Sequence, residues 1–380
     1  MEGGRFLRLS QRGGKMGGMD TTVSARVRQA LAASGVTQAE FATRIGMSPD
    51  KLSKSLNGHR AWSALELALI ADAAKTTVDW LLTGAEVEAP SLAARTTMAQ
   101  AVDHRASIEM MERFADADSQ LQRLNGRREL KPLTGAKSVA ARVAWAQSML
   151  ARVGKNVQTL DNAALADTVE EVFDIDVAID VLPDGVDGCA WQTSSARIVT
   201  LRSTPYWARQ RYTLAHELGH ILACDAQDLI TEAVDHRDKS PQEKAADRFA
   251  AHFLMPEAVL RGASPSGRLD RDTFLRLVNT LHVSPAALGW RAFNLGLIDD
   301  VQRPRWGALT AEQCALEAGE AELISQSRAG SENRRLPRRI VNGHLQAYWA
   351  GQTSARPLAR LLGTTPEEVI RLIPARTSTS

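Results

Sequence analysis

The sequence predicts a multidomain, mainly α-helical protein: a five-helix N-terminal domain, an α+β domain built round a small sheet, and a C-terminal helical region. Three observations predict it. At 380 residues the chain is too long for one ordinary core. Short, well-capped helical segments fill residues 21–84, about the size of one small helical domain. Strand-like stretches at 175–182, 188–192 and 197–201, broken by Pro183, Gly185 and Gly188, lie between helical stretches at 163–173 and 208–224.

Taken in order, residues 1–20 are rich in Gly and Arg, hold Met1, Met16 and Met19, show no apolar periodicity, and read as a disordered tail. Residues 21–84 are the helical domain. Residues 85–137 read as a linker or helical connector, with a polar helix over 108–124 and an Arg-rich boundary at 126–130. The α+β domain spans 138–300, and 301–380 is helical, with a second small helical unit at 336–373. No repeat of fixed period is present.

A composition of 44% hydrophobic and 24% charged residues is that of a globular protein, neither disordered nor fibrous. No apolar run approaches the length of about 18 residues that spans a bilayer, and the basic N-terminus lacks a secretory h-region. A cytoplasmic protein with no membrane partner is the expectation. Cys189, Cys224 and Cys314 are odd in number and not spaced as CxxC, which argues for packing residues rather than a disulfide framework or a thiolate metal site. The net charge of +2 is unevenly spread: Arg5, Arg8, Arg12, Lys15, Arg26, Arg28, Arg44, Lys51, Lys54 and Arg60 face few acids in the first sixty residues, so that end can meet a polyanion.

In Thr37-Gln38-Ala39-Glu40 the Thr is placed as N-cap and the Glu at N3, a capping box. The helix beginning at Gln38 carries Phe41, Ala42 and Ile45 on one face and stops at Gly46, which supplies the left-handed conformation of a tight turn. Ser48 caps a second helix with Pro49 at N1. Leu52 and Leu56 face inward, leaving Lys51, Ser53 and Lys54 on the outer face, suited to a major groove. Ser63 to Glu66 repeats the capping box before a further apolar helix, and Val78, Trp80, Leu81 and Leu82 are expected to close the core. This layout, ending in Val78-Asp79-Trp80-Leu81-Leu82-Thr83-Gly84, resembles the Cro and phage-repressor class of helix-turn-helix domains over residues 22–84. The resemblance implies a double-stranded DNA operator as partner, met by Gln38, Ser48, Lys51, Ser53 and Lys54, and is compatible with a homodimer. His59 and Arg60, just beyond the second helix, read as phosphate contacts rather than base readers, with ordinary solvated surface as the alternative. The plainer alternative is a helical bundle used only for protein contacts.

The chemical centre is Arg211-Tyr212-Thr213-Leu214-Ala215-His216-Glu217-Leu218-Gly219-His220. A spacing of i, i+4 puts both imidazoles on one helical face, within reach of one tetrahedral cation. Glu217 beside them can take a proton from water whose pKa a metal lowers from about 16 towards about 7. Leu214, Ala215, Leu218, Ile221 and Leu222 make the helix otherwise apolar, so two histidines and a glutamate there are costly without an ion. Catalytic zinc wants three protein ligands. Downstream stand Asp225, Asp228, Glu232, Asp235, His236, Asp238, Glu243 and Asp247. Glu243 and Asp247 lie i, i+4 on a patterned helix whose buried stripe is Ala246, Phe249, Ala250 and Phe253, so Glu243 can bind metal while Asp247 accepts the N–H of a liganding His. His236, in a charged segment, is the rival.

These residues, with Glu243-Lys244-Ala245-Ala246-Asp247-Arg248-Phe249-Ala250-Ala251-His252-Phe253-Leu254-Met255-Pro256, resemble the ImmA/IrrE family of metallopeptidases over about 138–300, with a weaker likeness to about 375. The resemblance implies a zincin-like peptidase domain holding one Zn2+ per chain by His216, His220 and Glu243, with Glu217 catalytic and Asp247 supporting a ligand. The family more often shows Glu-Ala-Asn where this chain has Ala245-Ala246-Asp247. It further implies limited proteolysis of a repressor-type helix-turn-helix protein, or of the chain itself, releasing genes under stress. The alternative is a transcription regulator or antitoxin in which the peptidase-like domain senses or binds a partner.

Overall fold

The computed structural model describes residues 23–74, 76, 78–83, 93–96, 105–225 and 240–373; the 1–20 tail and the rival ligand His236 lie outside them. The chain divides into two compact units, residues 1–89 and 90–380.

The first unit holds α1 (Val23–Ala33), α2 (Gln38–Arg44), α3 (Pro49–Leu56), α4 (Ala64–Ala73) and α5 (Val78–Thr83). Its local chemistry follows the sequence. Thr37 and Glu40 form the reciprocal capping box on α2, and Ser48 Oγ accepts from the Lys51 N–H to start α3. Gly46 turns the chain at φ +67°, a conformation that suits glycine. Val27, Phe41, Ala42, Ile45, Leu52, Leu56, Ile70 and Leu81 are buried together. Leu82 is not part of that core: it is 47% exposed, because the last turn of α5 carries it past the packed face.

The second unit begins with the strand β1 (Ala93–Thr96), then α6 (Arg105–Asn125), α7 (Val139–Arg152) and α8 (Asn162–Phe173). Strands β2 (Asp176–Asp180), β3 (Val186–Gln192) and β4 (Arg197–Arg202) follow, then α9 (Trp207–Ala223) and α10 (Pro241–Leu254). The chain ends in α11 (Glu257–Gly262), α12 (Arg271–Leu281), α13 (Pro285–Asn294), α14 (Gln302–Gly307), α15 (Ala311–Glu317), α16 (Ala321–Glu332), α17 (Arg338–Trp349), α18 (Arg356–Leu362) and α19 (Pro366–Leu372). The sheet order is β1-β3-β4-β2, with β3 antiparallel to β1 and β4, and β2 parallel to β4. The fold is therefore mainly helical with a small sheet, as the sequence predicts.

The sheet is covered on both sides, which explains why its strands read as nearly continuous apolar runs. On one side Val177, Ile179, Ala190, Val199 and Leu201 pack with Leu214, Ala215 and Leu218 of α9. On the other, Ala178, Cys189, Trp191 and Ile198 pack with Met111, Phe114, Ala117 and Leu121 of α6. The polar helix expected in a connector is thus amphipathic, and its apolar stripe forms the second core layer. Ile340 and Leu361 join the same cluster, so the C-terminal helices pack on this unit as well. Arg339 lies between Asp176 and Asp118, both buried, and Arg335 pairs with Asp167 and Glu170. Among the described residues no helix is long and apolar enough to cross a membrane. Cys189 and Cys314 are buried as expected, but Cys224 is exposed at the end of α9, where it takes the left-handed cap conformation rather than a packing role.

Candidate metal site and nucleic-acid face

Helix α9 is held in place by the residues just before its histidines. Arg211 is buried, and its guanidinium donates to the carbonyls of Leu160 and Val157. Burial lowers its pKa to about 10, which leaves it charged at neutral pH. Gln210 donates to the carbonyls of Arg202 and Ser331, each at 2.8 Å. Arg209 meets Asp187, a residue that a register shift in the β1–β3 pairing leaves without a strand partner. Under the helix, Gly188 of β3 makes the close approach possible: a Cβ there would stand 2.5 Å from Thr213 Cγ2 and 3.4 Å from Glu217 Oε1. Gly188, read above only as a strand breaker, provides space for the motif helix.

His216 and His220 are both buried and turn their Nε2 atoms to one point, 3.1 Å apart. Glu243 of α10 closes the triangle, with Oε2 3.2 Å from His216 Nε2 and Oε1 3.1 Å from His220 Nε2. Glu243 sits in the first turn of its helix because Ser240 caps it, accepting from the Glu243 N–H. The close packing of α10 on α9 depends on Gly219, where a Cβ would lie 3.3 Å from the Ala246 Cα. Each imidazole is also fixed from behind: His216 Nδ1 lies 3.0 Å from Asp247 Oδ1, and His220 Nδ1 lies 2.8 Å from Asp225 Oδ1. Tyr212 Oη donates to the Asp247 carbonyl at 2.9 Å and so ties the two helices together beside the site. Asp225, considered above only as a metal ligand, instead meets the outer nitrogen of His220. The left-handed turn at Cys224 brings it back there.

These residues fit a cation. Donating Nδ1–H to Asp247 and Asp225 leaves the lone pairs of both rings on Nε2, so two lone pairs and a carboxylate converge on one buried point. Ligand atoms about 2.0–2.1 Å from a tetrahedral ion lie about 3.3 Å from one another, close to the separations found here. The surroundings demand positive charge. Burial opposes protonation of His220, yet Asp225 and Glu243 outweigh it and raise its pKa to about 10. Burial likewise works against the Glu243 carboxylate, and the two imidazoles overcome it, holding that group well below the usual range. Among the described residues, His216, His220 and Glu243 are the group that could hold a metal ion, and Glu217 follows His216 directly on the same buried helix.

In the first unit, Gln38, Ser48, Lys51 and Lys54 are exposed on α2 and α3, and Ser53 is half-buried. Lys54 pairs with Asp50 at 2.8 Å, an exposed i, i+4 pair worth only about 0.3–0.5 kcal/mol, which a phosphate can displace. Arg60 differs from the expectation of a phosphate contact. Its guanidinium is clamped by both Glu66 oxygens and Ser55 Oγ, so it braces the end of α3. Arg28 is similarly engaged with the Leu56 carbonyl and Asn57 Oδ1. Part of the basic charge at this end therefore serves the fold.

Comparison with known families agrees with this division. Residues 171–293 match the IrrE N-terminal-like domain of peptidase family M78, from α8 through α13. Residues 27–81 match the helix-turn-helix family model. No curated protein and no solved structure matches the chain.

Proposed function

We propose that this chain, which joins a helix-turn-helix domain of DNA-binding type to an M78 metallopeptidase-type domain, acts in the cytoplasm as a DNA-tethered zinc endopeptidase that regulates transcription by limited proteolysis. The observation that carries the reading is the convergence of His216 Nε2, His220 Nε2 and the Glu243 carboxylate beside Glu217. A solely structural metal site has no use for a further buried carboxylate next to its ligands.

His216, His220 and Glu243 would hold the ion. Zinc, when bound there, supplies Lewis acidity that polarises the scissile carbonyl and makes water a competent nucleophile near pH 7. The chain's own residues do the rest. Asp247 and Asp225 keep the two Nδ1 protons and so hold both rings in the liganding orientation. Glu217 takes a proton from the attacking water on its carboxylate as the water oxygen bonds to the peptide carbon. It then delivers that proton to the leaving nitrogen as the C–N bond breaks. Low exposure at Glu217 keeps bulk water from competing for that proton.

The substrate that fits this architecture is a repressor-type helix-turn-helix protein cut at one exposed segment, since tethering at an operator raises the local concentration of peptidase where such proteins sit. The metal-loaded chain, alone and with helix-turn-helix repressors encoded nearby, is the test, read by intact mass. Two discrete fragments that require both metal and Glu217 support the reading. No product from a fully metallated site would instead favour a sensing domain.

A further inference from the structure

Helices α10 and α13 wall a second cleft, with a volume of about 470 Å³, the size that takes a small organic ligand. Its α10 wall runs from Lys244 through Arg248 to the cap residue Met255, and its α13 wall from Ala287 through Trp290 and Arg291. The cleft approaches the metal site from the rear. Asp247 lines it, and Asp247 meets His216 at Nδ1, not at the Nε2 that faces Glu243. A ligand there lies beyond the carboxylate that aims His216 rather than at the metal-binding point.

The cleft is electropositive. Lys244, Arg248 and Arg291 are permanent cations, and Asp247 is the one acid among the described residues that line it. Glu257, whose charge also reaches His252 and Arg291, is paired with Arg261 at 2.7 Å. The surplus is felt by His252, a further lining residue: burial, then the Arg291 and Arg248 charges, hold its pKa below the ordinary value.

The same cleft offers a ring. Trp290 is 54% exposed, although an indole is costly to leave in water. It is held in place rather than left to swing: the Arg303 guanidinium lies 4.0 Å from its centroid, and Phe293 meets it edge to face at 6.3 Å. Bases stack on such rings whatever their sequence, and ammonium and guanidinium groups take phosphate oxygens. A fixed indole beside three cations therefore selects a ligand that carries both a planar base and phosphate.

We propose that the α10–α13 cleft binds a nucleoside phosphate, its base against Trp290 and its phosphates on Lys244, Arg248 and Arg291. The inference stands apart from the peptidase reading, since it requires neither cleavage nor a bound ion.

The test titrates the full-length protein into N-methylanthraniloyl-labelled ATP at fixed ionic strength and follows anisotropy. One saturable site per chain is expected, competed by unlabelled ATP but not by adenosine, which lacks the phosphates. ATP is expected to compete at least as well as a single-stranded oligonucleotide of equal nucleotide content, which distinguishes a free nucleotide from a strand. Lys244→Ala/Arg248→Ala is expected to weaken probe binding about tenfold or more through the loss of two charge-assisted contacts. Trp290→Ala is expected to weaken it as well, whereas Trp290→Phe, which keeps a stacking face, restores most of the affinity. Lys51→Ala/Lys54→Ala, in the first unit, leaves it unchanged. All five positions are exposed, and circular dichroism verifies that the variants fold. Absence of saturable binding, parent-like affinity in either Lys244→Ala/Arg248→Ala or Trp290→Ala, or stronger competition by the oligonucleotide than by ATP would overturn the proposal.

Discussion

His216 Nδ1 lies 3.0 Å from Asp247 Oδ1, so a ring on one helix is aimed by a carboxylate on the next. His220 has the same relationship with Asp225 at 2.8 Å, across the end of its own helix. Asp247→Ala and Asp225→Ala are each expected to weaken metal binding about 10–100-fold, the usual consequence of losing such an orienting partner. Competition against a chelator of known affinity measures it; parent-like affinity in both would show that packing alone orients the rings.

One zinc per chain is expected in the parent by elemental analysis. His216→Ala, His220→Ala and Glu243→Ala are expected to lose it. Glu217→Gln keeps the metal but is expected to lower the cleavage rate by about 10²–10⁴, the ordinary contribution of general acid–base catalysis. Full occupancy in Glu243→Ala together with metal loss in His236→Ala would transfer the third-ligand role to His236.

DNA binding is expected to depend on α3. If Lys51 and Lys54 each neutralise one phosphate, the double Lys51→Ala/Lys54→Ala variant weakens binding to a selected operator and flattens the log–log salt dependence by about two units, about one per contact. An unchanged slope would remove both from the interface.

The Arg60–Glu66 clamp makes the first unit acid-sensitive. Its hydrogen bonds to Arg60, ahead of the opposing effect of burial, lower the Glu66 pKa to about 2. A depressed folded-state pKa contributes stability that is present above the unfolded value, about 4.3, and is lost as pH falls through about 2. Thermal unfolding of the helix-turn-helix transition, followed from pH 5 to 2, is expected to show that loss in the parent. A smaller pH dependence is expected in Glu66→Gln, and identical slopes would exclude the clamp as the cause.

In the second unit, Arg339 faces Asp176 and Asp118, both nearly inaccessible. Burial disfavours its charge, but the two carboxylates dominate and hold it protonated. Arg339→Met leaves two buried carboxylates with less compensation and is expected to destabilise the unit by about 3 kcal/mol in urea unfolding. Arg128, which also reaches Asp176, keeps the loss to that lower range. Adding Asp176→Asn is expected to recover part of it.

What the sequence made legible was local. Capping boxes, the turn at Gly46 and the i, i+4 histidines are written within one or two helical turns, and the buried stripe of α10 follows a single periodicity. What it concealed was long-range. Ala93-Ala94-Arg95-Thr96 has no strand pattern, and only pairing with β3 makes it one. The polar face of α6 masked a stripe whose partners come from the sheet and from α17. Asp225 needed the left-handed turn at Cys224 to reach His220, and Arg60 needed its bidentate partner to be recognised as structural.

The bridge between Ile179 and Arg335 sets an order of events during synthesis. A ribosome adding about 5–20 residues per second makes β2 roughly eight to thirty seconds before the segment that closes its edge. The helix-turn-helix domain, whose contacts are local and which emerges first, can fold in that interval. The second unit cannot close the β2 edge of its sheet until Arg335 has been made, so the growing chain carries a folded first unit well before it carries a finished sheet.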